Sequence, residues 1–259
     1  MGLIRRSDRL YLVVLIAKLN VDEMRKAVFI LGFFMMTSSP SAPASMNTSN
    51  LEFDGSQNTF QDVEGNRYKT VKIGKLEWFA ENLRATQFQD GSPVDSGFIP
   101  KDDEKNLLKY GRLYHWQDVN DERKLCPYGW RIATDADWQE MERAIGVAQS
   151  ELAKEGWRGS DDIAITLKAE QPNTLFKKFE QAKVNQFQFG ATASGVKIGN
   201  WYITQGMYTE FWTSTSATDK EAYARTLAYS WWNSHKGEIR RAKLNKDYMF
   251  SVRCVRDTK

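Results

Sequence analysis

Short runs of aromatic and β-branched residues, each closed within a few positions by Gly, Asn or Asp, recur from Tyr68 to the end of the chain. YKTVKIG and LEWFAENL meet at Gly74-Lys75, and GNWYITQG, EFWTSTS, AYARTLAY, GEIRRAKL and FSVRCVRD follow beyond Phe187. Alternating β-formers bounded by turn residues read as short strands. The last run alternates without a break, so Phe250, Val252 and Cys254 share one face and Ser251, Arg253 and Val255 the other. The clearest helix starts at Thr134, a capping residue. Asp135 and Asp137 suit the positive end, and Trp138, Met141, Ala144 and Ile145 recur at helical spacing before Gly146. A second helix is predicted over Ala148 to Glu155, and residues 163 to 182 are helix-friendly. Gly91, Pro93, Gly97, Pro100 and the KDDEK cluster make residues 87 to 106 a long surface loop. These signals predict one α+β domain with short antiparallel strands at both ends, two or more helices between them, and long loops.

The first 44 residues differ in composition. Met24-Arg25-Lys26 precedes the apolar run AVFILGFFMM and then TSSPSAPAS, the pattern of a secretory signal cleaved after Ala44. Ten apolar residues fall well short of the roughly 20 needed to span a bilayer. The predicted start is Met24, with residues 1 to 23 as an upstream extension. No Cys follows the apolar run, so a lipoprotein anchor is not expected. Residues 45 to 61 read as a polar, flexible leader, and 62 to 257 as the domain. Localisation is therefore predicted as exported, to the periplasm, the cell surface or the medium.

Export bears on charge and on cysteine. The whole chain carries 36 Lys and Arg against 33 Asp and Glu; without its first 44 residues it has 30 of each. A neutral mature chain gives no electrostatic reason for a nucleic-acid partner. Cys126 and Cys254 are the only cysteines, and an oxidising compartment favours pairing them over leaving two buried thiols. Two His and two Cys leave little for a zinc site.

GNRYKTVKIGKLEWFAENLRAT, YGRLYHWQDVN, LCPYGWRIATDADWQEM, EFWTSTS and FSVRCVRD, in that order, resemble the Fibrobacter succinogenes major paralogous domain family. The resemblance implies an exported or surface protein of Bacteroidota- or Fibrobacterota-type bacteria with a C-type-lectin-like fold. Its CPxGW and SVRCV blocks match Cys126 and Cys254, which agrees with the pairing. FGATASG at 189 to 195 departs from the family's Leu-Pro-Gly-Gly turn, so ligand contacts in the middle loop do not transfer.

No catalytic constellation stands out. His115 lies in an aromatic run and reads as a core residue; neither it nor His235 accompanies a nucleophile elbow or a metal-binding helix. Asp135/Asp137 and Asp161/Asp162 read as capping and solvated carboxylates. Gln171-Pro172-Asn173 and Trp232-Asn233 resemble fragments of a calcium-lectin motif, but about 60 residues separate them and Ser234 replaces an acidic ligand. No cofactor and no metal are expected. Aromatics are the composition outlier: 9 Trp, 10 Tyr and 14 Phe. Trp78, Trp116, Trp130, Trp138 and Trp212 sit inside element patterns and are expected in the core. Trp201, Tyr202, Trp231, Trp232 and His235 lie in turn-rich text and are the expected ligand-contacting residues. The expectation is a non-catalytic binding or adhesion module for a glycan or surface protein. The alternatives are an exported enzyme with a carboxylate site and a structural subunit of a surface assembly.

Overall fold

A two-residue turn sets the first sheet. Gly74, at φ 62°, takes the mirror-image backbone that matches strand twist, so β2 (Arg67–Ile73) folds back on β3 (Leu76–Phe79) with Ile73 opposite Leu76. β1 (Phe53–Gln61) adds to the outer side of β2. Residues 53 to 61, expected as leader, are therefore a paired strand. The computed structural model describes residues 53–169, 183–229, 234–235 and 237–258, and these fall within one compact unit, Thr48–Lys259.

Along the chain follow α1 (Leu107–Tyr110), β4 (Tyr114–His115), α2 (Trp116–Val119), β5 (Arg131–Ile132), α3 (Asp135–Ala144) and β6 (Gly156–Arg158). Then come β7 (Val196–Ile198), β8 (Trp201–Ile203), β9 (Tyr208–Ser216), β10 (Glu221–Ala228), β11 (Ile239–Asn245), β12 (Tyr248–Phe250) and β13 (Cys254–Asp257). They form three sheets, ordered β1-β2-β3-β13-β5, β6-β11-β10-β9 and β4-β12-β7-β8. Among the described residues, the pairings between these strands are antiparallel.

The expected α+β class is corrected: strand accounts for 37% of the structure and helix for 16%. The physical reason is helix length. Of the described α-helices only α3 exceeds four residues. The predicted helix from Ala148 to Glu155 is a series of turns, and the helix-friendly stretch begins as a five-residue 3-10 helix, Ile163–Leu167, with 170 to 182 outside the described residues. Such short helices cannot form a layer of their own.

FSVRCVRD is not one strand. It breaks at Ser251–Arg253, so β12 serves the third sheet and β13 the first, while Trp212 N–H donates to Ser251 O at 3.0 Å from β9 of the second. Its alternation nevertheless separates two cores. Phe250, Val252 and Cys254 join Tyr68, Phe79, Tyr114, Trp130 and Trp212 in one; Val255 joins Trp78, Trp138, Phe189, Phe211 and Leu227 in the other. Trp78, Trp138 and Trp212 are fully buried. Removing about 150–250 Å² of each from water contributes at most about 4–6 kcal/mol per residue. The Cys126–Cys254 disulfide lies inside the first of these cores.

Candidate ligand-binding surface

Helix α3 carries the carboxylates that a catalytic reading would use. Thr134 Oγ1 accepts from Asp137 N–H at 3.1 Å while Asp137 accepts from Thr134 N–H at 2.8 Å, a reciprocal cap. Asp137 also holds Arg131. Asp135 and Glu142 point down to the second sheet, where Arg225 bridges them at 2.7 and 2.6 Å. Arg241 donates twice more to Asp135, through Nε at 2.9 Å and Nη2 at 2.8 Å, and Arg158 clasps Glu142 at 2.6 and 3.1 Å. Burial alone would raise the Asp135 carboxyl, but hydrogen bonds and charge from Arg241 and Arg225 outweigh it and hold it at about 2. Two carboxylates so neutralised by three guanidiniums fasten a helix to a sheet. Asp162 is likewise engaged, by Lys183 at 2.7 Å and Ser160 at 2.8 Å. His115 is half-buried in β4 opposite Met249.

Trp201 and Tyr202 occupy β8, the edge strand of the third sheet. Trp201 is 54% exposed. Tyr202 has a different environment. Its hydroxyl donates to Asp102, and the Lys197 ammonium sits 4.9 Å from its ring and 4.7 Å from that of Phe98. Burial and the Asp102 carboxylate push the Tyr202 phenol up. After β8 the chain turns through Thr204, at φ 58°, to Met207, which is 40% exposed. Met207 O accepts from Tyr229 N–H at 2.6 Å, so β10 ends against this turn. Trp231 and Trp232 follow, outside the described residues, as do Gln171, Pro172, Asn173 and Asn233.

His235, in the turn before β11, packs against the second sheet. Its ring stacks on Trp157 of β6 with centroids 5.2 Å apart and an interplanar angle of 4°, and its Nδ1 meets the Glu238 carboxylate. Strand register then defines a row across that sheet: Trp157 opposite Arg240, Arg240 opposite Thr226, Thr226 opposite Glu210. Two members have unsatisfied buried atoms, Thr226 Oγ1 and Glu210 Oε2. Burial pushes the half-buried Glu210 carboxyl up to about 8, against the opposing pull of Arg240. The structure thus puts Trp201 and Tyr202 on one sheet and His235 against another. Trp157, Thr226 and Glu210 escaped the sequence reading, because only strand register aligns them in one row with Arg240. The RRAK alternation in GEIRRAKL was the available signal.

Among the described residues no three His, Cys, Asp or Glu side chains gather as a metal cluster, and no helix is long and apolar enough to cross a membrane. No curated protein and no solved structure matches the chain. The family model described as the Fibrobacter succinogenes major domain matches residues 71–256, from β2 to β13. That span holds the second and third sheets, the first sheet from the end of β2 onward, most of both cores and the disulfide, and the chain belongs to this family.

Proposed function

We propose that the protein is an exported, non-catalytic binding module for carbohydrate or a cell-surface partner. The observation that carries this reading is Trp201, 54% exposed on an edge strand with the 40%-exposed Met207 on the turn that follows. Exposed apolar surface of this size marks an interaction site, and an indole face can stack on a sugar ring. Trp231, Trp232 and His235 extend the same reading along the chain beyond Tyr229. Export is supported by the signal-like residues 24 to 44 and by a disulfide, which an oxidising compartment sustains. A carboxylate enzyme finds no comparable support, since Asp135 and Glu142 are saturated by arginine.

The test is a glycan array and a surface-protein pull-down with the purified protein, its Trp201→Ala variant and a Trp231→Ala/Trp232→Ala variant. Loss of a central aromatic anchor is expected to weaken binding about tenfold or more. Identical binding profiles for all three proteins would remove these residues from the site.

A further inference from the structure

Glu210 is the third residue of β9, three positions beyond Met207. The strand end around it is tied on several sides. Across β10 it lies opposite Thr226, with Thr209 opposite Leu227 and Tyr208 opposite Ala228. Its backbone carbonyl accepts from Ser251 N–H at 3.1 Å, where the chain passes from the third sheet to the first. The turn after β8 hangs on the same end: Tyr208 N–H donates to Thr204 O at 3.1 Å, Gly195 N–H to Tyr208 O at 2.9 Å and Tyr229 N–H to Met207 O at 2.6 Å. Loosening β9 at Glu210 therefore frees the turn that joins Met207 to β8.

The Glu210 side chain sits where only its neutral form is comfortable. Its Oε2 is sealed from solvent and accepts no hydrogen bond, and Thr226, 2% exposed and directly opposite, has a sealed hydroxyl without a partner as well. A carboxylate demands donors, and burying one without them is costly. Few charges face it. Thr226 from β10 and Ser251 from the crossing segment are neutral, and Arg225, next to Thr226, points to the other face, where Asp135 and Glu142 hold it. His235 and Glu238 meet each other at the far end of the row, beside Trp157. Arg240 of β11, opposite Thr226, is the charged group that acts on Glu210 among the described residues, and burial outweighs its attraction.

Opening the strand end changes that environment. Once the carboxyl reaches water it titrates near 4.5, whereas in the paired strand it is pushed up to about 8. Between those values the open end has released a proton that the paired end still holds, so each unit of pH favours opening about tenfold more. Above 8 both forms are ionised and the balance levels off.

We infer that Glu210 is a proton-operated latch: its neutral carboxyl keeps the β9–β10 end paired, and loss of the proton to water opens that end and parts Met207 from Trp201. As regulation of ligand binding this rests on the reading of the Trp201 surface as a ligand site; the opening itself does not. The experiment is amide hydrogen exchange of the 15N-labelled protein at pH 5 and pH 7, with intrinsic exchange rates divided out. Protection at Gly195, Tyr208 and Tyr229 should fall about a hundredfold between the two. The fall should be the same in low urea, because a local opening exposes little surface. Glu210→Gln copies the neutral carboxyl and should hold protection constant, and Glu210→Met, neutral without an amide to satisfy, should do the same. Constant protection in the wild type, the same fall in both variants, or a fall that steepens with urea as whole-domain unfolding does would each overturn the latch. The readout needs no ligand, so failed glycan or surface-protein binding leaves the latch standing, and a flat exchange profile leaves the Trp201 reading standing.

Discussion

Arg253 shows how one side chain can tie together parts that are distant in sequence. It lies between the Phe189 and Phe211 rings, 4.2 and 5.4 Å from their centroids, and its four oxygen acceptors come from β3, the loop after it, and residues 189–190. Burial pulls the guanidinium down to about 9, still charged at neutral pH. Arg253→Met removes the donor and leaves buried carbonyls unpaired, so a loss of about 3–5 kcal/mol is expected in denaturant unfolding. Arg253→Lys keeps the charge but cannot reproduce the planar fork, and should recover less than half of that loss. Glu210 is the opposite case, a group whose folded state favours the proton. Its carboxyl is raised to about 8 from 4.5, so between those values the native state holds a proton that the unfolded chain has released. Stability should therefore fall as pH rises from 4.5 to 8 and level off above. Glu210→Gln should remove that slope, with little change at pH 4.5 and a gain on the order of 4–5 kcal/mol at pH 8, about 1.4 kcal/mol for each unit between the two values. Urea midpoints at the two pH values measure it, and a parallel slope in wild type and variant would refute it.

At the scale of elements, α3 is the one helix whose start could be read directly. Thr134 at the cap, Asp137 three residues on and apolar residues at helical spacing are local signals, and the structure uses each of them. Thr134→Ala should cost about 1 kcal/mol, seen as a lower thermal midpoint. Glu142→Gln should cost more, about 3–5 kcal/mol, because it leaves Arg158 charged and buried without its carboxylate and Arg225 with Asp135 alone. Strand positions were legible for the same reason: YKTVKI, LEWF, EFWTSTS and AYARTLA carry their period-two pattern locally. What the sequence hid was non-local. Val252 and Arg253 look like the interior of one strand, yet the chain there leaves one sheet for another. Ala148 to Glu155 has helix formers but no apolar stripe to bury, so turns prevail. His235 could be flagged as a loop residue, but its stacking partner Trp157 is some 80 positions away and visible only through the β6–β11 pairing.

For the whole molecule, the question is what keeps two cores in register when helices contribute so little. Each core draws on strands from both ends of the chain: Tyr68 and Cys254 in the first, Val71 and Val255 in the second. Such contacts close long loops, and their entropy has to be offset before packing rewards it. Cys126 and Cys254, 128 residues apart, remove much of that cost by keeping the loop closed in the unfolded state. On the chain-entropy argument the bond contributes about 4–5 kcal/mol. Both sulfurs are buried among apolar groups, so alanine is the cleaner replacement, since serine would add an unpaired hydroxyl. Cys126→Ala/Cys254→Ala is expected to keep the near-ultraviolet signature of its buried tryptophans while its unfolding free energy drops by most of that amount. Refolding should slow as well, because closure of the loop then becomes part of the folding barrier. A loss under about 1 kcal/mol at an unchanged denaturant slope would mean that the sheets, and not the crosslink, hold the two ends of the chain together.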